Sequence, residues 1–186
     1  MRTFVAVGLP ERLREKLETL RGELRRCDAD VRWVAPSSMH LTLKFLGEIQ
    51  PGEFSDIDGV LRKIAASAAP TGVRLRGMGS FPHLQRPRVI WIGVVPDDDC
   101  LAALHARIDE ALQEIGFPRE KRGFRPHLTL GRVRSNRGKG SLIEAVESNA
   151  RVDLGHLQVD ELTLFESELT RQGAVYTALG RYSLRG

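Results

Sequence analysis

Cysteine is nearly absent: Cys27 and Cys100 are the only two in 186 residues. That is too few for a disulfide framework or a zinc ribbon, and a reducing cytoplasm is the simplest setting for such a chain. Long apolar runs are missing as well. Met1-Arg2-Thr3-Phe4-Val5-Ala6-Val7-Gly8 meets Pro10 and a highly charged segment before a secretory core could form. No membrane span and no lipidation motif follows, so no membrane role is expected. A strong charge of one sign is lacking too, since 28 Lys and Arg face 24 Asp and Glu. The resulting pI near 9.4 suits a polyanionic partner without demanding one. Within the positive charge Arg outnumbers Lys, which favours bidentate phosphate contacts. With 41% apolar and 28% charged residues the chain reads as one ordinary globular domain, residues 1–186, acting as a monomer.

Histidine is scarce, with 5 in all, yet two of them open the same tetrapeptide. His40-Leu41-Thr42-Leu43 continues into Lys44-Phe45-Leu46-Gly47, and His127-Leu128-Thr129-Leu130 into Gly131-Arg132-Val133. Chance recurrence of the same three residues behind two of five histidines has odds on the order of 0.002 for average composition. In an extended strand side chains alternate between faces. His40, Thr42 and Lys44 should therefore share a polar face, with Leu41, Leu43 and Phe45 turned to a core. His127 and Thr129 repeat the polar face, and strict alternation puts Arg132 on the opposite one. A bulge near Gly131 would bring Arg132 back.

Around these strands the chain repeats its order. Phe4 to Gly8 reads as a buried strand, followed by a helix with the stripe Leu13, Leu17, Leu20, Leu24 and Cys27. After the first histidine strand, Phe54, Ile57, Val60, Leu61, Ile64, Ala65 and Ala68 mark a second helix. Val73, Leu75 and Gly77 alternate with Arg74 and Arg76, a strand with one wet face. Val89 to Pro96 resembles the N-terminal strand, and Leu101, Leu104, His105, Ile108, Leu112 and Ile115 form the helix after it. The second histidine strand is fed by Phe124-Arg125-Pro126, where the proline holds Arg125 extended. Arg134 to Gly140 is a basic loop, and Ser141 to Asn149 a short helix. Leu157 to Phe165 and Ala174 to Leu184 flank Thr170-Arg171-Gln172-Gly173 as a long hairpin. The fold class expected is α+β, bilobal and duplicated, with repeat halves of about 1–87 and 88–186. Two antiparallel sheets would carry helices on their outer faces and a central cleft between them.

Two histidines on opposite sides of a phosphorus let one activate a nucleophile while the other protonates the leaving oxygen. That is what opening a 2′,3′-cyclic phosphate by water demands. Thr42 and Thr129 can donate to the nonbridging oxygens, where charge grows. The residues alone do not assign donor and acceptor. No metal and no cofactor is expected, because two histidines without a third ligand at a recognisable spacing do not make a zinc site.

The doubled His-x-Thr-x motif resembles that of the two-histidine phosphoesterase superfamily. The longer runs Leu41-Thr42-Leu43-Lys44-Phe45-Leu46-Gly47 and Arg125-Pro126-His127-Leu128-Thr129-Leu130-Gly131-Arg132 are similar to its RNA 2′,3′-cyclic phosphodiesterases, the 2′-5′ RNA ligase-like proteins. So are Phe4-Val5-Ala6 and Leu164-Phe165-Glu166-Ser167, and the resemblance spans almost the whole chain. It implies metal-independent hydrolysis of RNA ends bearing a 2′,3′-cyclic phosphate to a 2′-phosphate. His40 would donate a proton to the departing 3′-oxygen and His127 would accept one from water. Arg132 resembles a family position suited to phosphate. A 2′-5′ ligase acting on tRNA-half-like ends, or an RNA-binding module without turnover, are the alternatives.

The remaining candidates have plainer readings. Phe124 either stacks on a base or belongs to the core. His105, at a leucine-like helix position, is expected to be a core histidine, and His83 and His156 surface residues beside turns.

Overall fold

The computed structural model describes residues 1–121, 123–170 and 173–186. The chain begins with strand β1 (Arg2–Val7), helix α1 (Glu11–Leu24), β2 (Val31–Trp33), β3 (Leu41–Glu48), α2 (Phe54–Ser67) and β4 (Thr71–Phe81). It continues through β5 (Val89–Pro96), α3 (Cys100–Glu114), β6 (His127–Val133), α4 (Lys139–Ser148), β7 (Asp153–Val159), β8 (Glu161–Thr170) and β9 (Gly173–Ser183). The fold is α+β, with the histidine motifs at the starts of β3 and β6.

Two antiparallel sheets are formed, in the orders β3-β1-β8-β9 and β2-β6-β5-β4-β7. Without β2, the second sheet repeats the first, since each has its histidine strand beside an N-terminal-like strand (β1 or β5) and two more beyond. The two sheets do not correspond to residues 1–87 and 88–186. Strands β2 and β4 complete the second sheet, while β8 and β9 return to the first. The helices cross over in the same way. Helix α1 follows a strand of the first sheet but packs on β7 of the second, whereas α3 follows β5 and packs on β3. Helix α2 lies against β8 and β9, and α4 against β4.

The sequence stripes explain these placements. Leu13, Leu17, Leu20 and Leu24 are the buried residues of α1, and Ile57, Leu61, Ile64 and Ala65 those of α2. Cys27 falls in the 3₁₀ turn after α1 and only half-buries. A leucine as enclosed as Leu17 would cost about 2–5 kcal/mol to truncate to alanine. Strand β4 buries Val73 and Leu75 and exposes Arg74 and Arg76, as its alternation requires, and runs on to Phe81.

One expected strand is two. Leu157 and Val159 end β7 in the second sheet, whereas Leu162 and Leu164 belong to β8 in the first. The buried positions shift from odd to even across Asp160, so one continuous strand could not bury both pairs on one face. Strands β8 and β9 form the hairpin, and its turn residues Arg171 and Gln172 lie outside the described residues. Among the described residues no helix is long and apolar enough to cross a membrane.

Candidate active site

The two histidine strands approach each other where the sheets meet. What faces the cleft is set by a bulge in each strand. Along β1, Ala6 lies opposite Thr42 but Val5 lies opposite Lys44, leaving Leu43 as the extra residue. Along β5, Trp91 lies opposite Thr129 but Ile90 lies opposite Gly131, leaving Leu130 extra. Both bulges therefore fall on the fourth residue of the motif. A bulge places two residues against one and resets the alternation beyond it.

That reset moves three residues from the faces strict alternation predicts. Lys44 turns away from His40 and is fully buried beneath the first sheet, paired with Asp109 and donating to the Pro118 carbonyl at 2.9 Å. Phe45 turns outward and is 57% exposed. Arg132 joins the face of His127 and Thr129, because Val89 and Trp91, two apart on β5, lie opposite Arg132 and Thr129. The bulge near Gly131 is the feature that returns it.

Both imidazoles are held alike. The Nδ1 of His40 lies 3.0 Å from the Ser38 carbonyl, and that of His127 lies 2.7 Å from the Arg125 carbonyl. Each partner is the oxygen two residues back, fixed by the Pro36–Ser38 turn before β3 and by Pro126 before β6. A carbonyl only accepts, so Nδ1 carries the proton and Nε2 is the nitrogen available for chemistry. The Thr42 and Thr129 hydroxyls are half-buried and make no hydrogen bond among the described residues.

The surroundings of the two rings differ. His40 stacks on Phe4 at 4.5 Å between centroids and meets Tyr176 edge-on at 5.0 Å, with Phe165 6.0 Å away. Burial among these rings pushes the His40 pKa from 6.5 down to about 4, against the smaller upward pull of the Ser38 carbonyl. In the free protein His40 is thus neutral near pH 7. Among the described residues the one ring against His127 is Phe81, edge to face at 5.0 Å, on the sheet that also presents Trp91. Gly79 leaves room for that indole, as a Cβ there would lie 2.5 Å from it.

Phe124 does not join this face. Its ring stacks on His105 at 4.0 Å and 11°, and it packs against the core beside α3. His105 is buried as its helix position implied, and burial lowers its pKa. Nearby, burial alone would raise the Asp109 carboxyl, but Lys44 and the Glu120 N–H outweigh it and hold it below the ordinary range. His83 is exposed, and His156 sits on the surface against Asp97 at 3.1 Å. Among the described residues no three His, Cys, Asp or Glu side chains gather as metal ligands.

Sequence reasoning missed Phe4, Phe165, Tyr176 and Phe81. Phe4 sits in an unbroken apolar run on a central strand, where hydrophobicity alone does not tell the core side from the cleft side. The signal was the alternation itself, once the bulges set its phase.

The chain is similar along its whole length to proteins of one family. The pattern of the 2′-5′ RNA ligase superfamily matches residues 9–171. The RNA 2′,3′-cyclic phosphodiesterase of Methanothermobacter thermautotrophicus is 35% identical over 184 residues, 99% of each chain. That of Methanocaldococcus jannaschii is 31% identical, over 96% of this chain and 98% of its own. Among solved structures, TT0787 of Thermus thermophilus superposes with a TM-score of 0.84 at 32% identity, covering 100% of this chain and 99% of that one. LigT of E. coli in its apo form gives 0.80 at 27%, covering 100% and 98%. With this family pattern covering most of its residues and the same two-sheet architecture throughout, the chain belongs to the 2′-5′ RNA ligase superfamily.

Proposed function

We propose that the protein hydrolyses the 2′,3′-cyclic phosphate at an RNA 3′ end to a 2′-phosphate, with His40 and His127 as its acid and base and without a metal ion. The observation that carries this reading is the matched tethering of the two imidazoles. Each has Nδ1 held by a backbone carbonyl, so each offers Nε2 from strands that meet. Relatives named for this activity, alike along the full chain, support it.

In the reaction a water oxygen attacks phosphorus in line and the bond from phosphorus to O3′ breaks. The Nε2 of neutral His127 takes a proton from the water. The Nε2–H of protonated His40 passes its proton to O3′, leaving the phosphate on O2′. Since burial keeps His40 neutral in the free protein, the donor form has to be made on binding. The negative charge of the cyclic phosphate beside the ring raises its pKa. Thr42 and Thr129 donate to nonbridging oxygens, and Arg132 on the same face supplies positive charge to the substrate.

The test is incubation with an oligonucleotide ending in a 2′,3′-cyclic phosphate, with and without EDTA, followed by identification of the hydroxyl that keeps the phosphate. A 2′-phosphate formed equally in both samples is expected. An intact cyclic end would refute the reaction, and loss of turnover in EDTA would refute its metal independence.

A further inference from the structure

Arg32 lies directly opposite Arg132, in the register of β2 against β6. Both are exposed, and neither has a carboxylate within ion-pair distance among the described residues. Like charges directly opposite on a sheet destabilise it. Elsewhere the protein pairs such groups, as where Arg74 meets Asp153 at 2.8 Å on the same sheet.

The face of this pair is fixed from both sides. Val31 and Trp33, the neighbours of Arg32, pack against the core, so Arg32 points the other way, toward the cleft. The Leu130 bulge puts Arg132 on that side too. His127 and Arg132 lie opposite Gly93 and Val89, four residues apart on β5. At the usual rise this is about 13 Å, with Thr129 about midway.

We infer that Arg32 and Arg132 form a two-guanidinium seat for the phosphodiester that precedes the cyclic end, so that the protein reads an RNA strand and not only its terminal nucleotide. This rests on the proposed reaction at His40 and His127. A cyclic phosphate is a 3′ end, so the rest of the substrate leaves it in the 5′ direction and has to cross one of the two sheet faces. On the first sheet the residue equivalent to Arg132 is Phe45, which meets the ring of Phe4, and Phe4 in turn packs against Phe165 and Tyr176. That face suits an uncharged ring. The guanidinium face suits the phosphate, because two forked donors match a phosphodiester's two free oxygens. An anion between them turns a repulsive pair into an attractive one.

The experiment compares two substrates, a 2′,3′-cyclic mononucleotide without a 5′ phosphate and a dinucleotide ending in a 2′,3′-cyclic phosphate. For Arg32→Ala the ratio of kcat/KM, dinucleotide to mononucleotide, should fall about tenfold, the scale of one lost charge-assisted hydrogen bond. Arg32→Lys should lie between, keeping the charge but losing the fork. The dependence of log kcat/KM on log salt for the dinucleotide should weaken by about 0.7, one counterion's share on a single strand. Arg151→Ala, which removes the same charge from the segment after α4, should leave the ratio as it is. Thermal stability of Arg32→Ala without substrate should be equal to wild type or higher, since a repulsion is gone. An unchanged ratio in Arg32→Ala, or the same fall in Arg151→Ala, would overturn the seat while leaving the reaction standing. Wild-type protein inert toward both substrates would overturn the reaction and the seat together.

Discussion

His40 stacks on Phe4, their centroids 4.5 Å apart and their planes 29° from parallel. The imidazole is thereby built into an aromatic wall, and this has a titration consequence. With its pKa depressed from 6.5 to about 4, His40 binds its proton more weakly in the folded protein than in the unfolded chain. Between those values the unfolded state holds more protons, so stability is complete above about pH 6.5 and declines as pH falls toward 4. The loss from this group is on the order of 3 kcal/mol. Urea unfolding from pH 4 to 7 should show it, and Phe4→Leu, which thins the wall, should reduce it. An NMR titration of His40 with a midpoint near 6.5 would contradict this.

The same ring should titrate higher with an anion bound. Adding a 2′-phosphorylated nucleotide, the product of the proposed reaction, is expected to raise the His40 midpoint by a unit or more, because the nearby negative charge favours the imidazolium. An unmoved midpoint at saturating nucleotide would remove His40 as the proton donor.

Loss of either imidazole should be costly. His40→Ala and His127→Ala are each expected to lower kcat by about 10²- to 10⁴-fold, with the double variant far short of their product because the pair acts as a unit. Far-UV circular dichroism should be unchanged. Turnover within about threefold of wild type in either variant would remove that histidine from the proton transfers.

The threonines should affect rate more than folding. Valine keeps the β-branched shape that suits a strand and removes only the hydroxyl. Thr42→Val and Thr129→Val should each reduce kcat by about a hundredfold, the lower end for a lost oxyanion donor. Unaltered kinetics would mean that the hydroxyls face the cleft without touching phosphate.

Lys44 belongs to stability, not catalysis. Removing its charge by Lys44→Met leaves Asp109 without its partner and should cost about 3–5 kcal/mol in urea unfolding. Adding Asp109→Leu should recover most of that loss, since an apolar pair of similar size replaces the ion pair. A single variant as stable as wild type would show that the pair carries little weight.

Much of this protein was legible in its residues. The repeated His-Leu-Thr-Leu, the leucine stripe of α1 and the alternation of Val73 and Leu75 with Arg74 and Arg76 are local patterns. Each follows from the period of a strand or helix whatever surrounds it, which is why the elements and the α+β class could be anticipated. Strand pairing is not local. No residue of β4 announces that it joins the sheet of β5, or that β8 returns to β1, because the partner is chosen by packing over long sequence separations. The two bulges are the clearest case. One extra residue at Leu43 and one at Leu130, each visible only against the strand opposite, sent Lys44 into the core and brought Phe45 and Arg132 to the cleft. The chain's own order determined which chemical groups were at hand. Tertiary pairing decided which of them face the same space, because a side chain's face depends on a register that two strands set together.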